Sequence, residues 1–179
     1  MVYSDGGQVW CSPTSTSMVM AYWADRLGQP DLNRPVPAAA AATYDWVYRG
    51  HGNWPFNTAF AAAHGLDGFV TRLYSLDQVE GWITAGVPVV VSLAWEPGQL
   101  ANAPLARVGG HLLVIRGFTA AGDAIVNDPA ANPNLGQPVR RVYQRAQLER
   151  VWLDHSGGVV YLIFPPGWPA PAVESHGAW

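Results

Sequence analysis

Lysine is absent from this chain of 179 residues; all ten basic side chains are arginine. Against 13 acidic residues they leave a net charge of −3, and neither sign gathers into a block. The sequence therefore lacks the basic patch that would hold a nucleic acid or an anionic bilayer. Long apolar runs are missing too. Runs such as Val87 to Leu93 and Leu112 to Ile115 fall far short of the roughly 20 residues that span a membrane. Neither end carries a charged-then-apolar signal segment, so a soluble chain without a membrane span is expected. There is one cysteine, Cys11, which excludes an intramolecular disulfide and a multi-cysteine zinc site. Any cysteine chemistry belongs to Cys11.

What is present suits one well-filled core. The chain is 49% hydrophobic and too short for two ordinary domains, so residues 1–164 read as a single domain and the Pro-rich stretch 165–179 as a surface tail. Ser12 followed by Pro13 predicts a helix start. The i, i+4 pairs Met18/Tyr22 and Val19/Trp23 give that helix an apolar stripe as far as Gly28. Ala38 to Arg49 and Phe56 to His64 read as two further helices, the second stopped by Gly65. Strands are expected at Phe69–Tyr74 and Val87–Leu93, with a helix at Leu76–Ala85 between them. His111–Phe118 and Ala124–Asp128 read as a hairpin turned at Ala121 and Gly122. A strand at Val139–Tyr143, a short helix at Arg145–Trp152 and a strand at Val159–Phe164 follow. Helices first and an antiparallel sheet after them define an α+β class.

Three residues in this layout could carry chemistry. Cys11 stands at a helix start, where unpaired amides and the helix dipole favour an anion and lower a thiol's pKa. A thiolate nucleophile needs a base, and of the five histidines His111 fits best, because it opens an apolar strand after Gly109 and Gly110. Those two glycines let a substrate backbone approach. His51 and His64 lie beside glycines at expected helix ends, and His155 and His176 read as turn and tail residues. Asp128 ends the strand paired with that of His111, so an antiparallel hairpin brings it near the imidazole as an orienting acceptor. Asn127 is its rival, but side chains alternate along a strand and only one of the two can face His111.

The stretch Gly6-Gly7-Gln8-Val9-Trp10-Cys11-Ser12-Pro13-Thr14-Ser15, with Gly109-Gly110-His111-Leu112-Leu113-Val114 and Asn127-Asp128-Pro129, resembles the C39-like family of cysteine peptidases. Gly52-Asn53-Trp54-Pro55-Phe56-Asn57-Thr58 and Arg140-Arg141-Val142-Tyr143 extend the likeness, which covers nearly everything from Val2 to Phe164. The resemblance implies a papain-like fold and a peptidase acting on a peptide or protein substrate. Cys11 would be its nucleophile, His111 its base and Asp128 its orienting acid, with no metal or organic cofactor. It also implies an upstream glutamine as oxyanion donor. Gln8 is closer to the cysteine than the family's spacing, so either Gln8 substitutes or the chain starts inside its domain. Trp54 and Gly110 are expected to border the substrate cleft. Acyl transfer to an amine on the same fold, and a binding domain without turnover, stay open beside hydrolysis. Related proteins are often exported, which makes a secreted location the expectation and the cytoplasm its alternative. Oligomeric state has no sequence signal.

Overall fold

The structure, a computed structural model, describes residues 9–172; Gln8 and the end of the expected tail lie outside the described residues. The first helix, α1 (Cys11–Leu27), begins at the cysteine itself. Trp10 is its N-cap and offers no side-chain acceptor, and the first backbone bond runs from the Thr14 N–H to the Trp10 carbonyl at 2.9 Å. Ser12 is therefore not the cap that the sequence suggested. Its hydroxyl is buried 2.8 Å from the Tyr161 phenol. Pro13 falls in the first turn, where a missing N–H leaves no helical bond unmade. Gly28, in the left-handed region at φ 63°, ends the helix.

The next helix is shorter than expected. α2 spans Val36–Thr43, not Ala38 to Arg49, because Asp45 takes over the backbone beyond it. Its carboxylate accepts the N–H groups of Val47 and Tyr48 at 2.8 and 2.9 Å and folds residues 45–50 into a tight turn. This is the local competition by which an aspartate side chain ends a helix. α3 (Trp54–Ala62) starts two residues before Phe56, since Asn53 caps the Phe56 N–H at 3.2 Å and Pro55 lies in the first turn.

Six strands follow, with two helices among them: β1 (Asp67–Arg72), α4 (Leu76–Thr84), β2 (Val89–Trp95), β3 (Val108–Phe118), β4 (Ala124–Asn127), β5 (Arg140–Tyr143), α5 (Arg145–Ser156) and β6 (Val159–Phe164). They form one antiparallel sheet in the order β1-β6-β2-β3-β4-β5. β6 is buried at every position, as a strand covered on both faces must be, and its near-continuous apolar run fits that place. Trp23 of α1 donates its indole N–H to the Ile163 carbonyl at 2.8 Å, and Trp152 of α5 donates to the Val159 carbonyl at 3.0 Å. Large aromatic side chains thus reach this interior strand while their one polar atom stays paired.

The segment expected as a surface tail is anchored at its start. The Trp168 ring meets Trp23 edge-on with centroids 4.8 Å apart, lies under the Arg26 guanidinium and donates to the Ala85 carbonyl at 2.8 Å. A large aromatic with a partner for its N–H gains more by docking than by staying in water. Among the described residues, no helix is long and apolar enough to cross a membrane.

Candidate active site

The sheet register decides which residues meet. Asn127 pairs directly with Val114, the last β3–β4 partners before β4 ends, so both side chains point the same way. Val114, Asn127 and Arg116 accordingly line one small cavity of about 370 Å3 on the flank of α1. His111 is an odd number of positions from Val114, and Asp128 is one from Asn127, so both face the other way. The Asp128 N–H leaves the β3 ladder and donates to the Val139 carbonyl at 2.9 Å. The result is a contact of 2.7 Å between His111 Nε2 and Asp128 Oδ1, with both side chains buried.

Cys11 closes the set from α1. The hydrogen bond between His111 and Cys11 links the helix start to the strand, and with Nε2 committed to Asp128 the ring presents Nδ1 to the sulfur. Two seams hold the helix to the sheet. Ser15 Oγ donates to the Leu112 carbonyl at 3.1 Å, and Ser12 pairs with Tyr161 on β6. Thr16 donates to Asn57 Oδ1 at 3.2 Å, which joins α1 to α3.

The electrostatics follow from burial and pairing. Burial alone pushes the Cys11 thiol up, but the His111 hydrogen bond and charge, with the N–H groups of Leu112 and Ser12, outweigh it and bring the thiol below its ordinary value. Burial likewise disfavours the His111 cation. The hydrogen bonds to Asp128 and Cys11 win, and His111 is raised to about 9. Asp128 is pushed up by desolvation and pulled further down by His111, Tyr143 and the Ala130 N–H, so it stays ionised at neutral pH. The arrangement favours a thiolate beside an imidazolium, backed by a carboxylate.

Cys11 and His111 lie in a cleft of about 1270 Å3. Trp10, Tyr48, His51 and Trp54 border it from the helical half, and Leu105, Gly109 and Gly110 from the sheet. Trp54 and Gly110 both line this cleft, and a Cβ built on Gly109 or Gly110 meets nothing within 4 Å, so the strand before His111 has open space above it. Gln8 lies outside the described residues. His51 lies well past the end of α2 rather than at a helix end; it is 1% exposed, bonds the Ala40 carbonyl through Nδ1 at 3.0 Å and stacks edge-on against Trp10 and Tyr44. His64, just past the end of α3, bonds the Phe60 carbonyl and does not line the cleft. His155 belongs to the last turn of α5 and reaches the cleft rim. Among the described residues, no cluster of three or more His, Cys, Asp or Glu could hold a metal ion.

Two members of the site escaped the sequence reading. Trp95, at the end of β2, sets its ring edge-on to His111 with centroids 5.5 Å apart and ties its indole N–H to the Leu105 carbonyl. Tyr143 donates its hydroxyl to Asp128 Oδ2 at 2.6 Å. Nothing local marks either one, because each meets its partner only through strand pairing.

A six-stranded antiparallel sheet flanked by helices matches the fold of C39 papain-like peptidase domains. The sequence matches the Peptidase_C39 like family over residues 3–159, and the chain belongs to that family. Two solved structures illustrate the likeness. One is a double glycine motif protease from an AMS/PCAT transporter in complex with the leader peptide, with TM-score 0.58 and 16% identity over 92% of this chain and 90% of that one. The other is the peptidase domain of Streptococcus ComA, a bi-functional ABC transporter involved in a quorum-sensing pathway, with TM-score 0.58 and 13% identity over 88% and 92% of the two chains. No curated protein matches the sequence.

Proposed function

We propose that the protein is a cysteine peptidase that cleaves a peptide bond through an acyl-thioester. Cys11 Sγ attacks the scissile carbonyl carbon. The oxyanion that forms lies against the backbone N–H groups at the start of α1, where no side chain of Trp10 competes for them. His111 passes its proton to the leaving amine, then takes one from the water that hydrolyses the thioester, and Asp128 holds the ring in orientation through both steps. Gln8 is the proposed additional oxyanion donor. The observation that carries the reading is the chain of contacts from Cys11 through His111 to Asp128 at the base of an open cleft.

A peptide substrate is supported by the related protease whose structure holds a leader peptide, and by a cleft with apolar side chains at its rim and open glycine backbone beside the histidine. Export from the cytoplasm belongs to the same proposal and is checked by cell fractionation. The direct test is digestion of a peptide library followed by mass spectrometry. Wild-type protein should release new termini and Cys11→Ala should release none; equal cleavage by both would overturn the proposal. An amine added to the digest is incorporated only if acyl transfer competes with hydrolysis.

A further inference from the structure

Asp128 is gripped from three sides. Its Oδ1 accepts the Ala130 N–H at 2.8 Å and faces His111 Nε2 at 2.7 Å, while its Oδ2 accepts the Tyr143 hydroxyl at 2.6 Å. Asp128 and Tyr143 are fully buried and His111 nearly so. A carboxylate out of water needs a donor for each oxygen, and Tyr143 is the donor that the structure gives to Oδ2. The phenol arrives from β5, which among the described residues pairs with β4 alone, with Tyr143 in register with Ala124.

We propose that Tyr143 is a positioning residue of this site: its hydroxyl fixes the rotation of the Asp128 carboxylate so that Oδ1 meets His111, and thereby sets how firmly the imidazolium is held beside Cys11. The proposal rests on the reading of Cys11 and His111 as a nucleophile–base pair. With the hydroxyl removed, Oδ2 is buried without that donor and the carboxylate turns in search of another. The turn takes Oδ1 off the line to Nε2, and the imidazolium loses part of its anion. Burial, and then the Asp128 charge, push the Tyr143 phenol up, so it remains a donor where the thiol and the imidazole titrate. The charged groups around this contact are His111 on β3, Cys11 on α1 and Arg141 on β5; Arg141 favours the phenolate but is outweighed.

Because Cys11 is the only cysteine, its alkylation by iodoacetamide as a function of pH reads the pair without any knowledge of the substrate. In wild-type protein the midpoint should lie below the ordinary thiol value of about 8.5. In Tyr143→Phe, which keeps the ring in the core, it should rise by about half a unit to one unit, a fraction of the roughly one to two units that a lost hydrogen bond to a charged group is worth, because the effect reaches the thiol only through Asp128 and His111. Tyr143→Met removes the hydroxyl in a second way, for use if the first variant does not fold. In an Asp128→Ala background Tyr143→Phe should produce no further shift. A wild-type midpoint at the ordinary thiol value would contradict the nucleophile–base reading itself. A lowered wild-type midpoint that stays put or falls further in Tyr143→Phe, even with a reduced melting temperature, would reject the positioning role alone. A shift that persists without Asp128 would reject the route through Asp128.

Discussion

Ser15, one turn into α1, donates its buried hydroxyl to the carbonyl of Leu112, the residue that follows His111. This single bond ties the helix of the candidate nucleophile to the strand of the candidate base, and the distance between the two groups depends on it. Ser15→Ala leaves the Leu112 carbonyl without that donor, at a cost of about 1–2 kcal/mol. We expect a lower melting temperature together with a loss of kcat/KM larger than that of Ser75→Ala, at a half-buried position that caps α4 and does not line the cleft.

Replacement of Cys11 should abolish hydrolysis while leaving the fold in place. The residue is only half-buried and lines a cleft, so Cys11→Ala removes little packing. Circular dichroism and melting should match wild type while library cleavage disappears. His111→Ala should be equally inactive, because nucleophile and base act as a unit, whereas His64→Ala should keep its activity.

Asp128 and Asn127 should separate cleanly. Asp128→Ala is expected to lose about 10² to 10⁴ in kcat/KM, the scale seen when the third member of such a triad is altered. Asp128→Asn should retain part of the orientation through its amide oxygen. Asn127 points into the small cavity beside Val114 and Arg116, and Asn127→Ala should stay active. Steady-state kinetics on the three folded variants decides; an inactive Asn127→Ala beside an active Asp128→Ala would reverse the assignment.

The pH profile of kcat/KM should have its basic limb near pH 9. His111 is raised to about 9 and carries the proton needed by the leaving group below that value, so activity falls as pH climbs through it and the imidazolium is lost. The acid limb reports formation of the thiolate and lies below the ordinary thiol range, since Cys11 is lowered. A single limb at the ordinary thiol pKa, with no decline on the basic side, would contradict this pairing.

Trp168→Ala should destabilise the protein without affecting catalysis. The half-buried ring contributes packing against Trp23 and one hydrogen bond, together about 2 kcal/mol, roughly half the cost of truncating a fully buried Trp. That corresponds to about 4–8 °C in melting temperature for a chain of this size.

The sequence by itself determined the order of elements and the three residues most suited to chemistry. Those signals are local: a cysteine beside Ser-Pro, a Gly-Gly-His strand opening, an Asp-Pro strand end, and the alternation that puts Asp128 and Asn127 on opposite faces. The helix limits were less legible. At Ser12 and Asp45, side chains with a choice of hydrogen bonds took a partner that the local pattern does not name, Tyr161 in one case and the following turn in the other. Ser15 and Thr16, buried beside Ser12 on α1, have partners that only the packing of β3 and α3 supplies. Only the tertiary structure placed Tyr143 on Asp128, Trp95 against His111 and Trp168 against Trp23. Contacts between residues far apart in the chain are set by strand order, register and layer packing, and a local sequence pattern carries no record of which distant residue will stand opposite.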